Sequence, residues 1–232
     1  MNEKIHQVPL RPRKQAQTKL ALMNAALEAV AVRPLEQVTV RELCEAAQVS
    51  EPTFFNYFSA KADVLVHFIR LWSLEMGWHA RRTALERGAM AAVEDIFLRT
   101  FTQAAGSPGL MAEIVAVMAR MDKAPPLDPI PAVERWLRFP ELEGIEDLEP
   151  GGLETLLPPL LALAAKQGEL PQDMDQQGAF LSLCALFFGL SVLLRQLPPQ
   201  ALRETVLDQL SILWAGLRAR PELETSTRKE QP

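Results

Sequence analysis

Between Ser50 and Tyr57, in SEPTFFNY, hydroxyl, carboxylate, amide and phenol groups crowd into one short segment, with Phe54 and, four residues on, Phe58 as its apolar anchors. If both rings turn inward on one helical face, Thr53, Asn56 and Tyr57 face outward and Phe55 sits at the margin. Such side chains hydrogen-bond to base edges and phosphates, and a helix carrying them fits the major groove of B-DNA, roughly 12 Å wide. Catalytic chemistry has no comparable cluster. His6, His67 and His79 are dispersed, and Glu75 and His79, one helical turn apart, are too few for a metal or acid–base site. Neither a phosphate-cradling glycine loop nor a G-x-S-x-G nucleophile signature occurs. The expectation is a protein that is not an enzyme and needs no cofactor or metal.

The flanking residues supply the elements that would hold such a helix in place. Thr39 stands at an N-cap with Glu42 three positions on, the spacing of a capping box, so a helix begins there. Val40, Leu43, Cys44 and Ala47 mark its apolar face, and Arg41, Glu42 and Glu45 its polar one. Gln48-Val49-Ser50 interrupts it, Ser50 caps a second helix from Glu51 to about Phe58, and Pro52 falls in the first turn, where a missing N–H removes no bond. An earlier helix, Gln15 to Val32, would bury Leu20, Met23, Ala26, Leu27 and Val30 and stop at Arg33-Pro34. A long one opens near Lys61 and carries Val64, Leu65, Phe68, Leu71 and Trp72 on toward Trp78.

Two helices about a tight turn, followed by SAKADVL, resemble the TetR family of transcriptional regulators. TVRELCEAAQVS is similar to that family's second helix and turn, and PTFFNYF to its recognition helix. The resemblance implies that Thr39 and Lys61 contact phosphates, that Arg41 points to a guanine edge, and that Ser50, Glu51, Pro52, Thr53, Asn56 and Tyr57 line the DNA-facing side. Two positions depart from the family pattern. Gln48 stands where glycine is usual, so a left-handed backbone there would cost on the order of 1 kcal/mol. Phe55 stands where tyrosine is favoured and lacks the hydroxyl that would bond a phosphate.

The chain has 232 residues, 48% of them hydrophobic, and a net charge of −5, which argues against a nonspecific nucleic-acid coat. Charge is nonetheless segregated: Lys4, Arg11, Arg13, Lys14 and Lys19 gather at the N-terminus against Glu3. Residues before Arg11 read as a disordered basic tail, with a minor-groove arm as the alternative. Cys44 and Cys184 suggest neither a disulfide nor a metal site, and the polar opening residues suggest a cytoplasmic protein.

Helical patterns continue at Ala89–Ala105, Gly109–Met121, Ala132–Phe139, Leu153–Gln167, Met174–Leu197 and Pro199–Arg218, so the fold is expected to be all-α. Residues 1–60 would form an N-terminal arm and helix-turn-helix domain, and 61–232 a regulatory and dimerisation domain. Between Asp122 and Gly152, six prolines and a run of acids predict a solvated, mobile loop, with a lid as the alternative. Pro158-Pro159 is expected to kink or split its helix. The run from Ala179 to Leu194 lacks charge and Arg195 closes it, but it is shorter than the ~20 residues of a membrane span, so burial between protein surfaces is expected. With Val206, Leu210, Leu213, Trp214 and Leu217 striping the final helix, the last two helices point to a homodimer. Phe97, Phe101, Met111, Met118, Met121, Trp136, Phe187 and Phe188 could line a cavity for a small apolar effector. The expected function is a dimeric DNA-binding regulator, a repressor released from a palindromic operator by that effector. A helical ligand-binding or scaffolding protein without specific DNA binding is the alternative.

Overall fold

The computed structural model describes residues 3–120, 129–193 and 197–219, and every α-helix or 3-10 turn among them belongs to an all-α fold, as the sequence patterns predict. A short helix α1 (Glu3–Gln7) precedes α2 (Leu10–Val32), α3 (Val40–Ala46) and α4 (Glu51–Phe55), which build an N-terminal head. From the head runs α5 (Lys61–Arg87). The body adds α6 (Ala89–Ala105), α7 (Pro108–Arg120), α8 (Ala132–Arg138), α9 (Leu153–Lys166), α10 (Gln176–Leu193) and α11 (Pro199–Ala219). Gly88, at φ 97°, adopts a backbone that side-chain-bearing residues avoid, and it folds α6 back along α5. Met121 and Arg195 lie outside the described residues.

The body core gathers Met76, Phe97, Leu157, Leu183, Val206 and Leu210 from five helices. The head core gathers Leu22, Met23, Leu43 and Phe54, and it does not stop at the head. Val64, Leu71 and Leu74 of α5 join it, and so do Ile130, Phe139, Leu142, Ile145 and Leu148. The expectation of a solvated, mobile loop is therefore overturned for residues 129–152. The prolines and acids alternate with apolar residues that point into the head, and Glu141, Glu143, Asp147 and Glu149 hold the outer side. Arg135 replaces the missing helical ladder: Nε donates to the Ile130 carbonyl at 3.0 Å, and Nη1 to those of Glu146 at 2.9 Å and Leu148 at 2.6 Å. Beside it, the Glu134 side chain is 0% exposed. It accepts a hydrogen bond from His67 Nε2 on α5, and its second oxygen lies 3.5 Å from Lys19 Nζ on α2. Three elements thus meet on one carboxylate.

Other expectations also shift. The N-terminal residues from Glu3 do not form a disordered tail: α1 lies against α8, with Lys4 paired to Glu146 and its ammonium 5.6 Å from the Trp136 ring centroid. The helix expected from Gln15 starts at Leu10, which places Arg11, Arg13 and Lys14 on it. Pro158 and Pro159 sit inside a continuous α9. They fall at its middle, and the carbonyls they leave without an amide partner belong to Glu154 and Thr155 of the first turn, which are exposed residues. By length and composition α10 could cross a membrane. Here it packs on α7, α9 and α11, and buries Ala179, Leu183, Phe187 and Leu190. Where α7 meets α2 the approach is close: a Cβ on Gly109 would stand 2.8 Å from the Ala31 carbonyl oxygen and 2.9 Å from that of Val30.

Candidate nucleic-acid interface and ligand cavity

The head is set by local capping. Glu42 N donates to Thr39 Oγ1 at 3.2 Å, while Thr39 N and Oγ1 donate to Glu42 Oε2 at 2.7 and 2.8 Å, completing the capping box. Arg33 Nη2 holds the other carboxylate oxygen at 2.8 Å. The Thr39 amide, the Arg33 guanidinium and the Thr39 hydroxyl together pull the Glu42 carboxyl from the usual 4.5 down to about 2. A carboxyl held below its unfolded value stabilises the fold at pH above about 4.5, and that contribution fades as pH falls toward about 2. Thermal melts of wild type and Glu42→Gln should differ near neutrality and converge through that window. A constant gap between the two would contradict this account.

The turn takes the left-handed form the family pattern implies, with Gln48 at φ 55°, and the Val49 amide closes back on the Cys44 carbonyl at 2.9 Å. Ser50 then caps α4 through Thr53 N at 3.4 Å, and Pro52 occupies the first turn. Regular helix ends at Phe55 rather than Phe58, because Asn56 and Tyr57 tighten into a turn, yet Phe54 and Phe58 are both buried with ring centroids 5.7 Å apart. What remains outside is Glu51, Pro52, Phe55 and Asn56, with Thr53 and Tyr57 half-buried. Phe55, 55% exposed, is an aromatic ring in water on the face expected to meet DNA. Arg41 projects from α3 and pairs with Glu45 at 2.8 Å, both exposed, a pairing that a stronger acceptor can displace. Thr39 is exposed, although its hydroxyl serves the cap. Lys61 is turned inward: its ammonium donates to the carbonyls of Leu35 at 2.8 Å and of Val38, and so fastens the start of α5 to the segment before α3.

In the body a cavity of about 350 Å³ opens between α5, α6, α7, α10 and the start of α9. Of the residues expected to line one, Met111, Met118, Phe187 and Phe188 do. Phe97 and Phe101 do not; they pack behind Phe187, ring centroids 5.2 and 5.7 Å away. Trp136 is elsewhere altogether, on α8 beneath Lys4. Sequence reasoning missed Val66, Ile69, Arg70 and Trp72 of α5, Ile114 of α7, and the Gly151-Gly152 approach to α9. The Gly151 amide donates to Ser73 Oγ at 2.8 Å, which fixes that approach to α5. Arg70 brings a buried guanidinium to a wall that is otherwise mostly apolar. Burial pushes the Cys184 thiol up, so this lining residue stays neutral. Elsewhere in the body, Glu75 and His79 are each shifted toward their neutral forms, chiefly by burial. Among the described residues, no group of three or more His, Cys, Asp or Glu could hold a metal ion.

Residues 22–68, which run from the middle of α2 to the start of α5, match the family described as bacterial regulatory proteins, tetR family. No curated protein matches the chain at a significant level. Solved structures do. FadR of Thermus thermophilus, a TetR-family transcriptional repressor in complex with lauroyl-CoA, is 22% identical with a TM-score of 0.61, over 88% of this chain and 96% of that one. FadR of Bacillus subtilis in complex with stearoyl-CoA is 20% identical with a TM-score of 0.56, over 85% and 98%. The ketosteroid transcriptional regulator KstR2 of Mycobacterium tuberculosis is 15% identical with a TM-score of 0.52, over 92% and 98%. At these identities the likeness is one of fold.

Proposed function

We propose that this chain, whose residues 22–68 match the tetR family of bacterial regulatory proteins, is a dimeric cytoplasmic repressor, released from a palindromic operator by an amphiphilic ligand with a long apolar tail. The observation that carries this reading is α5. One helix starts in the head at Lys61 and, within three turns, lends Val66, Ile69, Arg70 and Trp72 to the cavity wall. A ligand that binds one tilt of α5 better than another biases where the head sits, and a coupling of ~1–3 kcal/mol suffices for control. An acyl-CoA thioester is the ligand class favoured by two similar folds, which hold lauroyl-CoA and stearoyl-CoA.

Dimerisation through α10 and α11 would cover Leu181, Val192, Leu193 and Ile212, which are 56%, 45%, 77% and 65% exposed in the single chain. Two heads related by a twofold axis would read half-sites about one helical turn, ~34 Å, apart. In such a complex Arg41 would exchange Glu45 for a guanine edge, and the hydroxyl, amide and phenol groups of α4 and its following turn would meet bases and phosphates.

Selection of bound fragments from random duplex DNA would supply the operator, and fluorescence anisotropy would then follow its release. Saturating lauroyl-CoA should weaken operator binding by roughly 5- to 150-fold; unchanged affinity with the ligand demonstrably bound refutes the switch. Two head variants separate base reading from structure. Arg41→Ala should flatten discrimination at one base pair by roughly tenfold or more. Lys61→Met should weaken operator binding by loosening the head, leaving the salt dependence of the residual binding unaltered, because its ammonium serves carbonyls of the head. If the slope of log affinity against log salt falls by about one unit instead, Lys61 is a phosphate contact.

A further inference from the structure

We infer that Trp72, Thr100 and Phe187 form the floor of the cavity and set the length of acyl tail it accepts, an inference that rests on the ligand class proposed above. Exposure along the wall separates mouth from floor. Met118 and Glu154 of the lining are exposed, whereas Trp72, Thr100 and Phe187 are 9%, 3% and 4% exposed and are joined through Trp72, which touches both of the others. A tail entering among the exposed residues therefore ends against the buried ones.

The floor is rigid for chemical reasons. Trp72 Nε1 donates to Thr100 Oγ1 at 3.2 Å, and that hydroxyl donates in turn to the Ile96 carbonyl at 2.7 Å, so the indole is held by a polar relay that sliding would break. The Phe187 ring meets Trp72 at 5.9 Å, Phe97 at 5.2 Å, Phe101 at 5.7 Å and Phe188 at 5.5 Å between centroids. Four rings around one leave it no alternative position, and Phe97 is wholly buried. Phe187 is thus the partition between the open cavity and the solid core. Each methylene buried before the floor should improve affinity roughly fourfold, and methylenes beyond it should add nothing or weaken binding. With roughly 30 Å³ for a water-sized group, 350 Å³ holds on the order of a dozen such groups, which places the optimum nearer lauroyl than stearoyl.

Calorimetric titration of full-length protein with octanoyl-, lauroyl- and stearoyl-CoA tests the floor, using wild type, Phe187→Ala and Cys184→Phe, each first checked for a cooperative melt. Wild type should bind lauroyl-CoA at least tenfold more tightly than octanoyl-CoA and no more weakly than stearoyl-CoA. Phe187→Ala, which opens the partition toward Phe97 and Phe101, should move the optimum to stearoyl-CoA. Cys184→Phe, which fills the cavity from a half-buried lining position, should move it to octanoyl-CoA, and this variant carries the test alone if Phe187→Ala does not fold. Binding by all three proteins with one unchanged order of preference overturns the floor and leaves the ligand class standing. Absence of any acyl-CoA binding to wild type overturns both.

Discussion

Glu134→Ala is expected to lower the melting temperature by roughly 6–12 °C, corresponding to a loss of about 3 kcal/mol. The carboxylate sits on α8 with no solvent contact and takes the His67 imidazole from α5 and the Lys19 ammonium from α2. Removing one member of a buried charged group costs more than the group contributes, because the others are left without compensation. The figure lies at the low end of the usual range because the Lys19 side chain keeps 19% of its exposure and can turn to water. Glu134→Gln keeps the shape and an acceptor for His67, so it should recover part of the loss. Differential scanning calorimetry decides; a melting point within 2 °C of wild type for the alanine variant, well short of the shift expected for buried-charge loss, would show that the three groups do not depend on one another.

Phe54→Ala should remove operator binding while sparing the body. The ring is 0% exposed, lies against Phe55 and Phe58 with centroids 5.4 and 5.7 Å away, and belongs to a core shared by α2, α3 and α5. Truncating a buried phenylalanine costs about 3–5 kcal/mol, a large fraction of the stability of a small helical head. Far-ultraviolet circular dichroism should show partial loss of helix, with operator affinity lost and acyl-CoA titration unaffected, since none of the cavity residues touches this ring's cluster except through α5. Operator affinity preserved within twofold would mean that α4 is not the reading element.

Local features of the head were legible because they depend on neighbours in sequence. Thr39 with Glu42, Ser50 with Thr53, and Phe54 with Phe58 act over three or four residues, and helical spacing alone brings them together. The turn at Gln48 was readable only through the family's glycine at that place. The segment from 129 to 152 was misread for the opposite reason. Its prolines and acids mark surface locally, but its order comes from Arg135 reaching three carbonyls and from Glu134 meeting His67, 67 residues away. The cavity was only partly legible on the same grounds. Periodicity says that Phe97, Phe101 and Phe187 face inward alike, and nothing in their spacing tells which ring borders a gap and which borders another ring. Trp72, counted as ordinary core on the connector helix, turned out to be a wall.

Gly109 puts the head and the body in register through an atom that is missing. Two backbones touch there with no side chain between them, so the smallest possible addition, one methyl group, would act as a shim and tip α2 away from α7. In the proposed dimer the distance between paired reading heads would therefore depend on a contact far from DNA and outside the cavity wall. Altered operator spacing could arise in this protein by a single-carbon change, without touching a base-reading residue or a ligand-binding one.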